Sequence, residues 1–262
     1  MEGASFDRAA DLYDRTRALP PEASEAVTAV LVEELVGRQP ALEVGVGTGR
    51  IAHPLRQRGM ELVGIDVAPA MLERLAAKSK GRVSLPLVVG DAAQLPLAHC
   101  CFGAVLFSHV LHLLPGWKAV VDEAIRVTRP GGVLLVDFGG GAVAPWSEQT
   151  DEILRQHGVL HERPGVSDAV DIESHLAGRA RLRPLEPVPT GFTRSLAMDI
   201  RDWENQIHSW TWSYPAEQLA EACRGVQTWA EVEGLPLNRQ VKIEWVIQWW
   251  AFDLQPSETP RQ

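Results

Sequence analysis

The sequence predicts an α/β fold built around a parallel sheet. From residue 41 to residue 138, five short apolar runs alternate with amphipathic helical stretches. The runs are unbroken rather than alternating, as in strands covered on both faces. A glycine-rich turn follows the first run directly. The 262 residues, 45% apolar and 23% charged, suffice for one such domain with an added lobe.

The elements follow in order. Ala9, Leu12 and Tyr13 are spaced for one face of a first helix, broken at Pro20 and Pro21. A second helix is expected over 21–36, where Val27, Val30, Leu31 and Leu35 recur near a 3.6-residue period and Gly37 provides a stop. The apolar runs are 41–46, 62–65, 87–89, 104–107 and 133–138, with helices at 50–58, 69–78 and 118–127. Repeated strand–helix order requires right-handed crossovers and therefore a parallel sheet. Arg129-Pro130-Gly131-Gly132 reads as a helix stop and tight turn before the fifth run.

Beyond 140 the pattern loosens. Residues 146–156, 168–176, 198–208 and 215–232 read as helices, and 182–192, with three prolines and one glycine, as a broken strand. Val241, Ile243, Trp245, Ile247 and Trp249 alternate with Lys242, Glu244 and Gln248, a half-exposed strand. The expected divisions are 1–39 as an N-terminal helical cap, 40–140 as a ligand-binding core, 141–254 as the remaining strands with a helical insertion, and 255–262 as a tail.

Net charge is −9, from 25 Lys and Arg against 34 Asp and Glu. That field disfavours nucleic acid and anionic lipid as partners. The one small basic cluster is Arg179, Arg181 and Arg183. The weakly charged run 103–117 is too short to span a bilayer and holds Ser108, His109 and His112. The first residues, with Glu2, Asp7 and Arg8, hold no apolar signal core. Three cysteines, without a Cys-x-x-Cys pair, fit a reducing compartment, so a cytoplasmic protein is expected.

The most informative stretch is Leu42-Glu43-Val44-Gly45-Val46-Gly47-Thr48-Gly49-Arg50. Glycines after a strand let the backbone turn tightly and approach a ligand closely. A dinucleotide fingerprint would need glycine or alanine where Arg50 stands, and a Walker loop would need Gly-Lys-Ser/Thr. An acid two residues before the first glycine repels a diphosphate but suits a ligand carrying positive charge. Asp66 ends the second run and is placed to accept from ribose hydroxyls. Asp91 ends the third, placed to face an adenine edge. Each acid alone also suits a helix or turn cap.

LEVGVGTGR, VGIDVAPAML, VVGDAAQLPL, FGAVLFSHVLHLL and RVTRPGGVLLV, in this order over about 40–140, resemble the class I S-adenosylmethionine-dependent methyltransferases of the compact small-molecule kind, the type 11-like group. FDRAADLYD, residues 6–14, is similar to the family's N-terminal helix that closes over the cofactor. The resemblance implies a Rossmann-like, seven-stranded, mostly parallel sheet with flanking helices and a C-terminal helical cap insertion. It implies S-adenosyl-L-methionine as cofactor. Carried over, Glu43 and Gly45 lie by the methionine moiety, and Gly47 and Gly49 shape the turn under the cofactor. Asp66 binds the ribose hydroxyls, Val67 and Met71 lie against the adenine, and Asp91 and Ala92 meet its edge. Ser108 approaches the methionine end, and Tyr13 and Arg17 reach its carboxylate from above.

Methyl transfer is an in-line displacement at a sulfonium carbon. It needs positioning, worth roughly 7–11 kcal/mol, and a general base only if the acceptor loses a proton. His109, His112, Tyr13 and His208 are base candidates, and the choice among them stays open. His109 follows a strand end where open α/β sheets bind ligands. His112 reads as a partly buried histidine, and with no third ligand in register no metal is expected. Trp203, Trp210 and Trp212 suit an aromatic substrate pocket or a helical core equally, whereas Trp245, Trp249 and Trp250 suit sheet packing. Phe107-Ser108-His109-Val110 lacks the proline-rich turn of amino-directed nucleic-acid enzymes, and no Pro-Cys nucleophile is present. A small, partly aromatic or apolar acceptor is expected. The competing readings are a non-catalytic binder of S-adenosylmethionine or S-adenosylhomocysteine and, against Arg50, a nicotinamide-dependent oxidoreductase. Oligomeric state stays open.

Overall fold

A computed structural model describes residues 10–78, 85–140 and 142–256, with the backbone alone at 10–12 and 15. Phe6, Asp7 and Arg8 of the expected N-terminal helix, and 257–262 of the expected tail, lie outside the described residues. The chain divides into two compact units. A sheet unit comprises Met1–Gly140, Pro164–Val188 and Ile247–Gln262, and a helical unit comprises Gly141–Arg163 and Pro189–Val246.

The sheet unit holds β1 (Ala41–Val44), β2 (Leu62–Asp66), β3 (Leu87–Val89), β4 (Phe102–Ser108), β5 (Thr128–Asp137), β6 (Ala180–Pro184) and β9 (Trp250–Leu254). Their order is β3-β2-β1-β4-β5-β9-β6. The first five strands pair in parallel, and β9 runs antiparallel to both β5 and β6. This is the expected Rossmann-like, mostly parallel seven-stranded sheet.

Both faces of the central strands are covered, which explains the unbroken apolar runs. Leu42, Val44, Val105, Phe107, Leu134 and Val136 pack with α5 (Trp117–Val127) and α7 (Ala169–Leu176). Ala41, Ala104, Leu106, Val133 and Leu135 pack with Val27, Leu31 and Leu35 of α2 (Pro21–Leu35). Thus α2, expected within a cap, belongs to the core of the sheet. The helix expected at 168–176 also covers this sheet, because the chain returns to it after residue 163. Shorter helices α1 (Ala10–Arg17), α3 (Ala52–Gln57) and α4 (Pro69–Lys78) border the strand ends.

Two local readings differ from expectation. The turn at Arg129–Gly132 is a bulge inside β5 rather than a linker before it. Pairing jumps from Phe102↔Thr128 to Ala104↔Val133, with Gly131 at φ 74°. The strand expected over 241–249 stops at Ile247, and a further strand, not expected, follows it at Trp250–Leu254. β8 (Val241–Ile247) pairs with β7 (Val188–Arg194) in a separate two-stranded sheet, and β9 enters the main sheet. Exposed Lys242, Glu244 and Val246 give β8 its alternation, while Asp253 interrupts the apolar run of β9. That acid accepts from Arg183 Nε at 2.7 Å. Arg183 also donates to Glu34 Oε1 at 2.8 Å, and Arg179 Nη2 lies 3.3 Å from Asp122, so two members of the basic cluster are paired with acids.

The helical unit contains α6 (Ser147–Gln156), α8 (Leu196–Glu204) and α9 (Ala216–Val232) around Leu154, Ile200, Leu219, Cys223 and Val226. Trp203 is buried in this core, and Trp210 packs against it from a half-buried position. Of the two readings for Trp203, the structure favours the core. Trp212 Nε1 donates to Gln206 O at 2.8 Å. Trp245 meets Phe192 edge-on across the small sheet, with centroids 4.9 Å apart. Trp249, fully buried, joins the core of the sheet unit.

Candidate active site

The candidate residues gather at the C-terminal edges of β1, β2, β4 and β5, where open α/β sheets bind ligands. After β1 the backbone turns through Gly45, Gly47 and Gly49, all at positive φ. Gly45 N donates to Ile65 O at 2.8 Å. A Cβ at Gly45 would drive into Val110, and one at Gly49 into Leu75. A Cβ at Gly47 would meet nothing nearer than Gly45 O at 4.0 Å. The outer glycines are therefore demanded by packing, while among the described residues nothing crowds Gly47. A ligand can approach the backbone there.

Asp66 ties this turn to the end of β2. Its Oδ2 accepts from Gly47 N at 2.8 Å and its Oδ1 from Ala68 N at 2.9 Å. The capping and ligand-site readings of Asp66 thus coexist in one side chain. Val67 is 59% exposed beside it, an apolar surface the protein leaves uncovered. Met71 instead turns inward, buried among Ala68, Ala70 and Tyr13. Asp91 is exposed, with Oδ1 accepting from Ala93 N at 2.8 Å, and Ala92 is half-buried.

Beneath the turn lies Glu43, 2% exposed. Burial pushes its carboxyl up to about 8, against the pull of the Arg50 guanidinium and the Ala52 N–H. Its Oε2 has no hydrogen-bond partner among the described residues. The free protein therefore holds a largely neutral acid at pH 7.

Arg50 reaches the ends of β4 and β5. Its Nη2 donates to Ser108 Oγ at 2.8 Å and lies 3.7 Å from Asp137 Oδ2. The buried Asp137 carboxylate accepts from His109 Nε2 at 3.2 Å and from Gly139 N at 2.9 Å. Burial alone would raise the Asp137 carboxyl, but His109, Arg50 and Gly139 hold it below the usual range. His109 is pushed below the ordinary imidazole value by burial and Arg50, with Arg17 adding to this and Asp137 opposing it. Its backbone is left-handed, at φ 57°, a conformation that costs a non-glycine residue roughly 1–2 kcal/mol. The His112 ring stands edge-on to it, with centroids 6.3 Å apart. No group of three or more His, Cys, Asp or Glu side chains suited to a metal occurs among the described residues.

The methyltransferase domain family matches residues 42–136. That stretch contains the glycine turn and the ends of β2 and β4. Over residues 42–136, then, the chain is similar to the methyltransferase domain family. The demethylmenaquinone methyltransferase of Renibacterium salmoninarum is 33% identical over 155 residues, which cover 58% of this chain and 64% of that protein. The chain thus spans just under two thirds of that relative. The demethylmenaquinone methyltransferase of Streptomyces avermitilis is 29% identical over 208 residues, covering 76% of this chain and 87% of that protein. The crystal structure of a Bacillus halodurans C-125 protein assigned as a methyltransferase shares the fold. Its TM-score is 0.59 at 19% identity, covering 87% of this chain and 99% of its own.

Several side chains at this site escaped sequence reasoning. Asp14 of α1 accepts from Thr48 Oγ1 at 2.6 Å, from Lys78 Nζ at 2.5 Å and from Arg74 Nε at 3.2 Å. It pins α1, with Tyr13 and Arg17, beside the glycine turn. Asp137 ends the fifth run as Asp66 ends the second, so the same strand-end rule selects it. Arg50 entered only as the residue that spoils a dinucleotide fingerprint. Its partners lie 58 and 87 positions downstream, at Ser108 and Asp137, and no local spacing connects them.

Proposed function

We propose that this chain transfers a methyl group from S-adenosylmethionine to a small, partly aromatic or apolar acceptor in the cytoplasm. The observation that carries the reading is the glycine turn, in which nothing among the described residues crowds left-handed Gly47 while its N–H is fixed by Asp66. The residues fit the cofactor. Gly47 and Gly49 would floor it, Asp66 would take the ribose hydroxyls, Val67 and Ala92 would cover the adenine and Asp91 would meet its edge. Glu43, Gly45 and Ser108 would border the methionine end, with Tyr13 and Arg17 supplied by α1. When bound, the cofactor supplies an electrophilic methyl group on a sulfonium.

The charges favour this ligand over a dinucleotide. A cation beside Glu43 would favour ionisation of its buried carboxyl, whereas a diphosphate would oppose it. Arg50 is occupied by Ser108 and Asp137 rather than turned to a phosphate. The names of the two relatives support a small-molecule acceptor. The net charge of −9 speaks against nucleic acid, and three free thiols suit a reducing compartment. No described helix is long and apolar enough to cross a membrane.

Calorimetric titration with S-adenosylmethionine, S-adenosylhomocysteine and NAD tests the reading. We expect saturable binding of the first two, weakened at least tenfold by Asp66→Ala. Binding of NAD alone would overturn it. Cofactor binding without turnover across an acceptor panel would make the chain a sensor rather than an enzyme.

A further inference from the structure

We propose that His109 is the general base of methyl transfer, and that the acceptor therefore enters neutral with a proton to lose, as a phenol or enol does. The inference rests on the methyl-transfer reading above and adds the acceptor's protonation state to it.

The imidazole is oriented from one side only. Nε2 lies 3.2 Å from Asp137 Oδ2. A carboxylate in this place accepts, so Nε2 carries the proton and the lone pair sits on Nδ1. Gly139 fixes the ring's tilt. A Cβ there would stand 2.7 Å from each of Cδ2, Cε1 and Nε2. Those atoms face Gly139, just past the end of β5, and Nδ1 is not among the three nearest to it. The side chain is 30% exposed, and no hydrogen bond engages Nδ1 among the described residues. The left-handed backbone that delivers the ring is secured by His109 N donating to Asp137 O at 2.9 Å.

The surrounding charges suit a base that begins neutral. Arg17 of α1 and Arg50 of the glycine turn disfavour a resting imidazolium, and Asp137 at the end of β5 stabilises it once formed. Ser108 cannot compete for the role, because its hydroxyl is held by Arg50. His112 has its Nδ1 shut off from solvent, and Tyr13 packs onto Met71. In the step, His109 Nδ1 takes the hydroxyl proton while the acceptor oxygen bonds to the methyl carbon and the carbon–sulfur electron pair returns to sulfur. The imidazolium then releases its proton to water. Asp137 acts through His109 and is a positioning residue.

The test compares wild type with His109→Asn, since asparagine tolerates the left-handed backbone. Phenolic acceptors are set against carboxylic or thiol acceptors already ionised at the assay pH. We expect S-adenosylmethionine affinity to change less than threefold. Turnover of phenolic acceptors should fall on the order of 10²–10⁴-fold, with the acidic limb of the wild-type pH–rate profile lost. Turnover of pre-ionised acceptors should be spared. Nitrogen-15 spectra of the wild-type ring should show the proton on Nε2, and Asp137→Asn should shift that tautomer balance. A variant that methylates phenols at the wild-type rate with the same pH profile would overturn the assignment while leaving methyl transfer intact. Tenfold weaker cofactor binding with kcat spared would also overturn it, by placing His109 on the cofactor. Failure of wild type to bind S-adenosylmethionine would instead sink the underlying reading.

Discussion

Glu43 is a buried acid whose proton state depends on what lies beside it. In the unfolded chain its carboxyl titrates near 4.5, and in the folded protein at about 8. Between those values the folded state binds more protons. Stability from this residue therefore falls as pH rises through the window, by about 1.4 kcal/mol per unit. Glu43→Gln is neutral at every pH. It should unfold at a higher urea concentration than wild type at pH 8, with the gap closing toward pH 5, and it should bind S-adenosylmethionine more weakly. A gap independent of pH would mean that Glu43 is ionised in the free protein. At this scale the sequence was readable where chemistry is written locally. Glu43, Asp66 and Asp91 stand out as acids at strand ends, and Gly47 as a turn glycine. The Arg50–Ser108–Asp137–His109 cluster was not readable, because its members come from separate segments that only the sheet's order brings together. Met71, which the resemblance sets against the adenine, is buried in α4 with Ala68 and packs against Tyr13.

Among the elements, α1 is tied to the glycine turn through Asp14. Burial would raise the Asp14 carboxyl, but hydrogen bonds from Lys78 and Thr48, with Arg74, hold it below its ordinary value of 3.8. The bonding is therefore fully present above that value and lost as pH falls through the lower, folded one. Asp14→Asn should leave the fold intact, lowering global stability by about 1 kcal/mol or less. Amides of α1 should nonetheless exchange markedly faster than those of β1 and β4, because local opening is governed by local ties. Uniform exchange across the three elements would show that α1 is held by other contacts. Strands β1 to β5 were identified from apolar runs because burial on both faces leaves an unambiguous mark. β9 shares that environment but lay beyond the strand expected over 241–249. Its run is short, and Asp253 breaks it to meet Arg183.

For the whole molecule, the order of strands in space departs from their order in the chain. β9 comes last among the described strands yet lies between β5 and β6, with Leu134 facing Phe252 on one side and Leu182 facing it on the other. A chain ended after Trp249 would lose a strand that is bonded along both edges, together with buried Ala251 and Phe252. Such a truncation should abolish cooperative unfolding of the sheet unit by circular dichroism, rather than lower its midpoint by a few degrees. A cooperative transition in the shortened chain would show that β5 and β6 can close without β9.

The same placement sets a timetable for synthesis. While a ribosome is still making the chain, β1 to β5 can assemble side by side as they emerge. The slot next to β5 waits through more than a hundred further residues, including the whole helical unit. Until Trp250–Leu254 leaves the exit tunnel, β5 presents a bare, apolar edge open to mispairing. Completion of this sheet thus waits on the emergence of β9. The interval before it is when the nascent protein has most need of a chaperone.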